Sequence, residues 1–157
     1  TGDDAIAYLK ENYPVVRDQN PYGTCWAFSS MGLAEFGLIN KGEANKSIDL
    51  SELQLAAFTY NSAADPLGGL SGDYTRYYND KASENYLMHG GNYEMAMRRL
   101  TQWSGAASEA DVPYSNASSV LQSGLDDSYA YSKDVASKNA QVKSAVIFFP
   151  FICSSFH

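Results

Sequence analysis

The stretch Gln19-Asn20-Pro21-Tyr22-Gly23-Thr24-Cys25-Trp26-Ala27-Phe28-Ser29 decides how this chain is read. Pro21 and Gly23 mark a turn, and from Cys25 to Lys41 apolar residues fall on nearly every helical face, so a buried central helix is expected to begin at Cys25. Glu35 is the only charge before Lys41, and Gly42 is a natural residue just past a helix end. A cysteine in a first helical turn sits among backbone N–H groups that have no helical acceptor. Together with the helix dipole, these favour negative charge on sulfur. Gln19, on the incoming segment, carries an amide whose two N–H donors can point to the same place as the Cys25 N–H. The arrangement predicts a nucleophile at Cys25 and an oxyanion-stabilising pair made by Gln19 and the Cys25 backbone.

Outward from that stretch, residues 1–24 are polar and contain Pro14, Pro21 and Gly23, which reads as an extended lead-in ending in a turn. Ser51-Glu52-Leu53-Gln54 reads as a capping box flanked by Leu50 and Leu55, and starts a second helix that runs through about Tyr60. A loop rich in Gly, Asp and Tyr follows from Asn61 to about Gly91. Its Asp65, Asp73 and Asp80 lack calcium-loop spacing and read as solvated carboxylates. Asn92 can cap a third helix ending at Gly105. Tyr93, Ala96, Met97, Leu100 and Trp103 form its inner stripe, and Glu94, Arg98 and Arg99 face out. After Val112-Pro113-Tyr114 the chain turns polar, with a strand expected near Ser128 to Val135 and a short helix near Asn139 to Val146.

Composition narrows the function classes. With 157 residues, 45% of them hydrophobic and 18% charged, the chain suits one compact folded unit and not a disordered one. Its 11 basic against 18 acidic residues give a net charge of -7 with no basic cluster, so nucleic acid and anionic membranes are poor partners. The two cysteines, Cys25 and Cys153, make no disulfide framework, and with His89 and His157 they form no zinc pattern, so neither metal nor cofactor is expected. The longest apolar run, Ala145 to Cys153, is broken by Pro150 and is too short to span a bilayer. The chain begins at Thr1 with no basic or apolar leader, so the compartment is not readable from its start.

The stretch around Cys25 resembles the active-site region of papain-like cysteine peptidases, whose Gln-x-x-x-Gly-(Ser/Thr/Ala)-Cys-Trp-Ala-Phe-Ser pattern is met at Gln19, Gly23, Thr24, Cys25, Trp26, Ala27, Phe28 and Ser29. Two further stretches follow in the family's order. Asp49 to Leu55 is similar to its Leu-Ser-Glu-Gln-x-Leu helix start. Gly90-Gly91, followed by Glu109 to Tyr114 (EADVPY), is similar to its Gly-Gly substrate edge and Glu-x-x-Tyr-Pro-Tyr segment. The resemblance implies an α+β papain-like fold, with residues 1–114 as the helical left lobe carrying the nucleophile and 115–157 as the start of an incomplete right lobe. It implies a cysteine endopeptidase acting on peptide or protein substrates through a Cys25 thiolate acyl-enzyme. Gly91 would bond an extended substrate backbone, and Gly23, Trp26, Gly90, Asn92 and Tyr93 would border the substrate, Asn92 and Tyr93 at the pocket for its P2 side chain.

Departures from the family pattern shape the remaining expectations. Tyr22 stands where the family commonly has a cysteine, and no counterpart of that cysteine's disulfide partner stands beside His89, a disulfide-poor pattern closer to bacterial secreted or surface members. The family's His, Asn and Asn-Ser-Trp-Gly run have no counterpart here. His157 lies about 130 residues after Cys25, within the raw spacing of a papain-type base. The long loop after Tyr60 should nevertheless push the matching His further on. The chain alone is therefore expected to be nearly inactive, its second lobe missing. The competing reading is a non-catalytic papain-like module that binds peptides or a protein partner.

Overall fold

Thr1 opens a helix where the sequence reading has an extended lead-in. In the computed structural model, which describes residues 1–61, 85–101 and 105–130, helix α1 spans Gly2–Asn12. The Thr1 hydroxyl accepts the Asp4 N–H and the Asp4 carboxylate reaches back to Thr1. Acidic residues sit in the first turn and Lys10 in the last, all favourable to the helix dipole. None of its residues is buried, and it leans on the domain through Tyr8, whose ring meets Phe36 and whose hydroxyl donates to Asn40 Oδ1, with Tyr13 just past its end also against Phe36. The lead-in proper is therefore residues 13–24.

Helix α2 (Cys25–Asn40) begins and ends where its apolar run and Gly42 place it, and Gly42 takes φ +69°, a conformation that suits glycine. Helix α3 (Glu52–Tyr60) starts on the Ser51 hydroxyl, which accepts the Gln54 N–H at 3.0 Å, and is buried along nearly its whole length. The reciprocal half of the capping box does not form. The Ser51 N–H is taken by Ala107 O at 2.9 Å, and the Gln54 amide instead donates to Gly105 O and Tyr129 O inside the domain. Helix α4 (Tyr93–Leu100) starts on Asn92, whose side chain accepts the Met95 N–H, and has Thr101 as its C-cap, whose hydroxyl donates to Met97 O and Arg98 O. Arg99, read as outward, is buried with its guanidinium 5.3 Å from the Phe58 ring centre, the aromatic face receiving the cation. Trp103 lies outside the described residues.

Helices α2, α3 and α4 pack on one another around Met31, Leu53, Leu55, Ala96 and Leu100, which are all but inaccessible. An isolated antiparallel bridge, Leu50 to Ser108, ties the start of α3 to the segment leading to Tyr114. Helix α5 (Ala117–Ser123) follows a short 3-10 turn at Tyr114–Asn116, in the polar stretch for which the sequence reading named no element. Where a strand was expected near Ser128, the Asp126 carboxylate accepts the Ser128 N–H and starts a 3-10 turn, Asp127–Tyr129. The expected helix near Asn139, together with Cys153 and His157, lies outside the described residues. Among the described residues the architecture is helical, and no helix is long and apolar enough to cross a membrane.

Candidate active site

Cys25 is the first residue of α2, a free thiol exposed to solvent at the end of a helix whose next residues, Trp26 and Ala27, are buried. Thr24, the N-cap, is fully buried. It offers its carbonyl to Ala27 and Phe28 but makes no side-chain cap. Its hydroxyl is used elsewhere: Thr24 Oγ1 and Tyr114 Oη lie 2.6 Å apart, and the Tyr114 hydroxyl donates to Gln19 O at 2.7 Å. A hydroxyl has one proton and a carbonyl can only accept, so Tyr114 spends its proton on Gln19 and Thr24 donates to Tyr114. The residue best placed to cap α2 is thus turned away from it.

Gln19 is half-buried. One side-chain N–H donates to Tyr22 O at 3.0 Å, and Tyr22 N–H returns to Gln19 O, closing a turn that contains the cis Asn20–Pro21 bond. The second amide N–H remains available to another acceptor. Tyr114 itself is held from below: its backbone N–H donates to Glu109 Oε1 at 2.6 Å, and its ring meets Phe28 edge-on at 4.9 Å and Tyr22 at 6.2 Å. Gln19, Thr24 and Cys25 therefore belong to one loop gripped by one tyrosine.

The glycines of the expected substrate edge lie against this loop. A Cβ on Gly91 would come within 2.4 Å of the Trp26 indole, and one on Gly23 within 3.2 Å of Met88 O, so both positions are kept bare by close packing. Gly90 has φ +75°, and its carbonyl accepts from the Tyr60 hydroxyl at 2.5 Å, while Tyr60 in turn meets the Trp26 ring edge-on. Asn92 is exposed with its carbonyl oxygen committed to capping α4. Tyr93 and Met88 leave apolar surface open beside the Gly90–Gly91 segment, at 40% and 55% exposure. His89 packs near the Tyr60 ring.

Behind the loop stands a charge cluster that the sequence reading did not assemble. Arg17 Nη1 lies 2.9 Å from Glu35 Oε1 and 3.4 Å from Glu52 Oε1, and its Nε is 2.9 Å from Asp49 Oδ1. Its Nη2 donates to Ile48 O. Glu35 Oε1 also accepts the Leu50 N–H at 2.7 Å. Burial pushes the Glu35 carboxyl up, against the Leu50 N–H and Arg17. Burial pushes Glu52 to about 7: its own N–H and Arg17 oppose this, but one guanidinium is shared among three carboxylates, and Glu109 and Glu35 add repulsion. The signal available in the sequence was the lone Glu35 in an otherwise apolar helix, which needs a buried cation. Among the described residues, no group of three or more His, Cys, Asp and Glu side chains is placed to hold a metal ion.

The family profile described as papain family cysteine protease matches residues 6–148 of the chain. No curated protein matches it.

Proposed function

This chain belongs to the papain family of cysteine proteases, and from that premise we propose that Cys25 is the nucleophile of a peptidase site acting on extended peptides. The observation that supports it best is an exposed thiol at the first position of a buried helix, on the same tyrosine-gripped loop as Gln19. In this reading the Cys25 thiolate attacks the scissile carbonyl carbon. A C–S bond forms as the carbonyl electrons move to oxygen, which receives the free Gln19 N–H and the Cys25 N–H. Collapse of that intermediate expels the amine, which needs a proton from an imidazolium. Water then displaces the acyl group and restores the thiol.

His89 is the histidine within the described residues, and it stands by Tyr60 on the Gly90–Gly91 side. The reading therefore leaves the base to a residue outside the described ones. Extended substrate would run along the bare Gly91 backbone, with Tyr93 and Met88 beside its P2 side chain. A left lobe bearing this site, a right lobe begun after Tyr114 and a secreted or surface location complete the proposal. Iodoacetamide near neutral pH should modify Cys25, and a fluorogenic peptide should show cleavage that Cys25→Ala abolishes. Peptide binding without any Cys25-dependent cleavage would favour a binding module instead.

A further inference from the structure

Resting on the peptidase reading above, we propose that Tyr114 is a positioning residue for the oxyanion-binding pair, acting through the Gln19 backbone. Three observations converge on its hydroxyl. It donates to Gln19 O, which fixes the residue whose amide would meet the oxyanion. It receives the Thr24 hydroxyl, which holds the residue before Cys25 and keeps that side chain from capping α2, so the first-turn N–H groups are left for a ligand. It is itself braced from outside the loop, by Glu109 through its backbone and by Phe28 of α2 against its ring, so the contact point is set by the fold. Burial raises the Tyr114 phenol above its ordinary value, with the Thr24 contact opposing, so it stays a donor at neutral pH.

An oxyanion hole works by having its donors already in place when charge develops on oxygen. Gln19 lies on a turn with Pro21 on one side and an exposed Asp18 on the other, and its bonds to Tyr22 close that turn locally without tying it to the rest of the domain. The Tyr114 hydroxyl supplies that reference across 95 residues of sequence.

The test separates oxyanion binding from thiol reactivity. Acetyl-Phe-glycinal adds reversibly to Cys25: sulfur bonds to the aldehyde carbon, and the aldehyde oxygen takes the thiol proton or remains an oxyanion, with no leaving group. Its affinity therefore reads the oxyanion site without needing a catalytic base. Alkylation by iodoacetamide does not use that site. Tyr114→Phe keeps the ring packing and is expected to weaken aldehyde binding about tenfold, part of the loss seen when an oxyanion donor is removed outright, with alkylation within about twofold. In a Gln19→Ala background the same substitution should cost nothing further, because the two act as one unit. Thr24→Val removes the Thr24 contact but spares the Tyr114 to Gln19 bond, so its loss of aldehyde affinity should be clearly smaller than that of Tyr114→Phe. Equal losses in both reactions, additive losses in the double variant, an unchanged aldehyde affinity, or a Tyr114→Phe chain that does not fold would each overturn the proposal. Failure of the wild-type chain to bind the aldehyde at all, or binding that survives Cys25→Ala, would instead overturn the peptidase reading.

Discussion

Replacing Glu52 by Gln should make the domain more stable in mild alkali while leaving it nearly unchanged in acid. Glu52 is buried at the first position of α3, and its carboxyl is raised from 4.5 to about 7, chiefly by burial. A carboxyl raised by folding favours the native state most when protonated. Its contribution is complete below about pH 4.5 and is lost as the pH climbs through about 7. At about 1.36 kcal/mol for each unit of displacement, the loss is on the order of 3 kcal/mol, a large share of a typical domain's stability. Gln has the shape of the protonated acid and does not titrate. Urea titrations followed by tryptophan fluorescence, at several values from about pH 5 to about pH 8.5, should show the Gln variant gaining on the wild type by roughly 2–3 kcal/mol. Burial also raises Glu35 and Glu109, and both remain in both proteins, so the difference reports position 52 together with its repulsion of these two carboxylates. A difference that is flat with pH, or that turns against Gln in alkali, would refute the account of Glu52 as the short-changed partner of a shared guanidinium.

Gly91→Ala forces a methyl group into the Trp26 indole at 2.4 Å and should cost about 1–3 kcal/mol by urea denaturation, with a shift in tryptophan emission that a mutation elsewhere on the loop would not give. Arg17→Met removes the cation paired with buried Glu35 and should cost about 3–5 kcal/mol at neutral pH. Adding Glu35→Met should recover much of it, as seen by melting temperature.

What was legible beforehand was whatever depended on neighbours in sequence. The Cys25 start of α2, its end at Gly42 and the Ser51 cap of α3 are local events set by adjacent residues, and the structure has them where those residues put them. Thr1 and Asp4 carry the same kind of local signal and were overshadowed by the prolines downstream, so α1 was read as extended. The remaining departures are long-range. Gln54 abandons its capping role because Ala107 takes the Ser51 N–H, and Arg99 turns inward because Phe58 offers a ring face. Of the proposed site, Cys25 and Gln19 lie in a single readable stretch, but the Tyr114 contact with Gln19 and the pairing of Arg17 with Glu35 and Glu52 arise only through folding across distant sequence, which no periodicity encodes.

Helix α1 buries none of its residues, so detaching it exposes little that solvent does not already touch. Its amide hydrogens can exchange through a local opening far cheaper than global unfolding. Resistance to denaturant and resistance to a protease cutting near residues 13–16, where Val15 and Val16 are largely exposed, are then two separate properties of this chain. The first belongs to the packing of α2, α3 and α4, and the second to a helix that rests on the domain chiefly at Phe36.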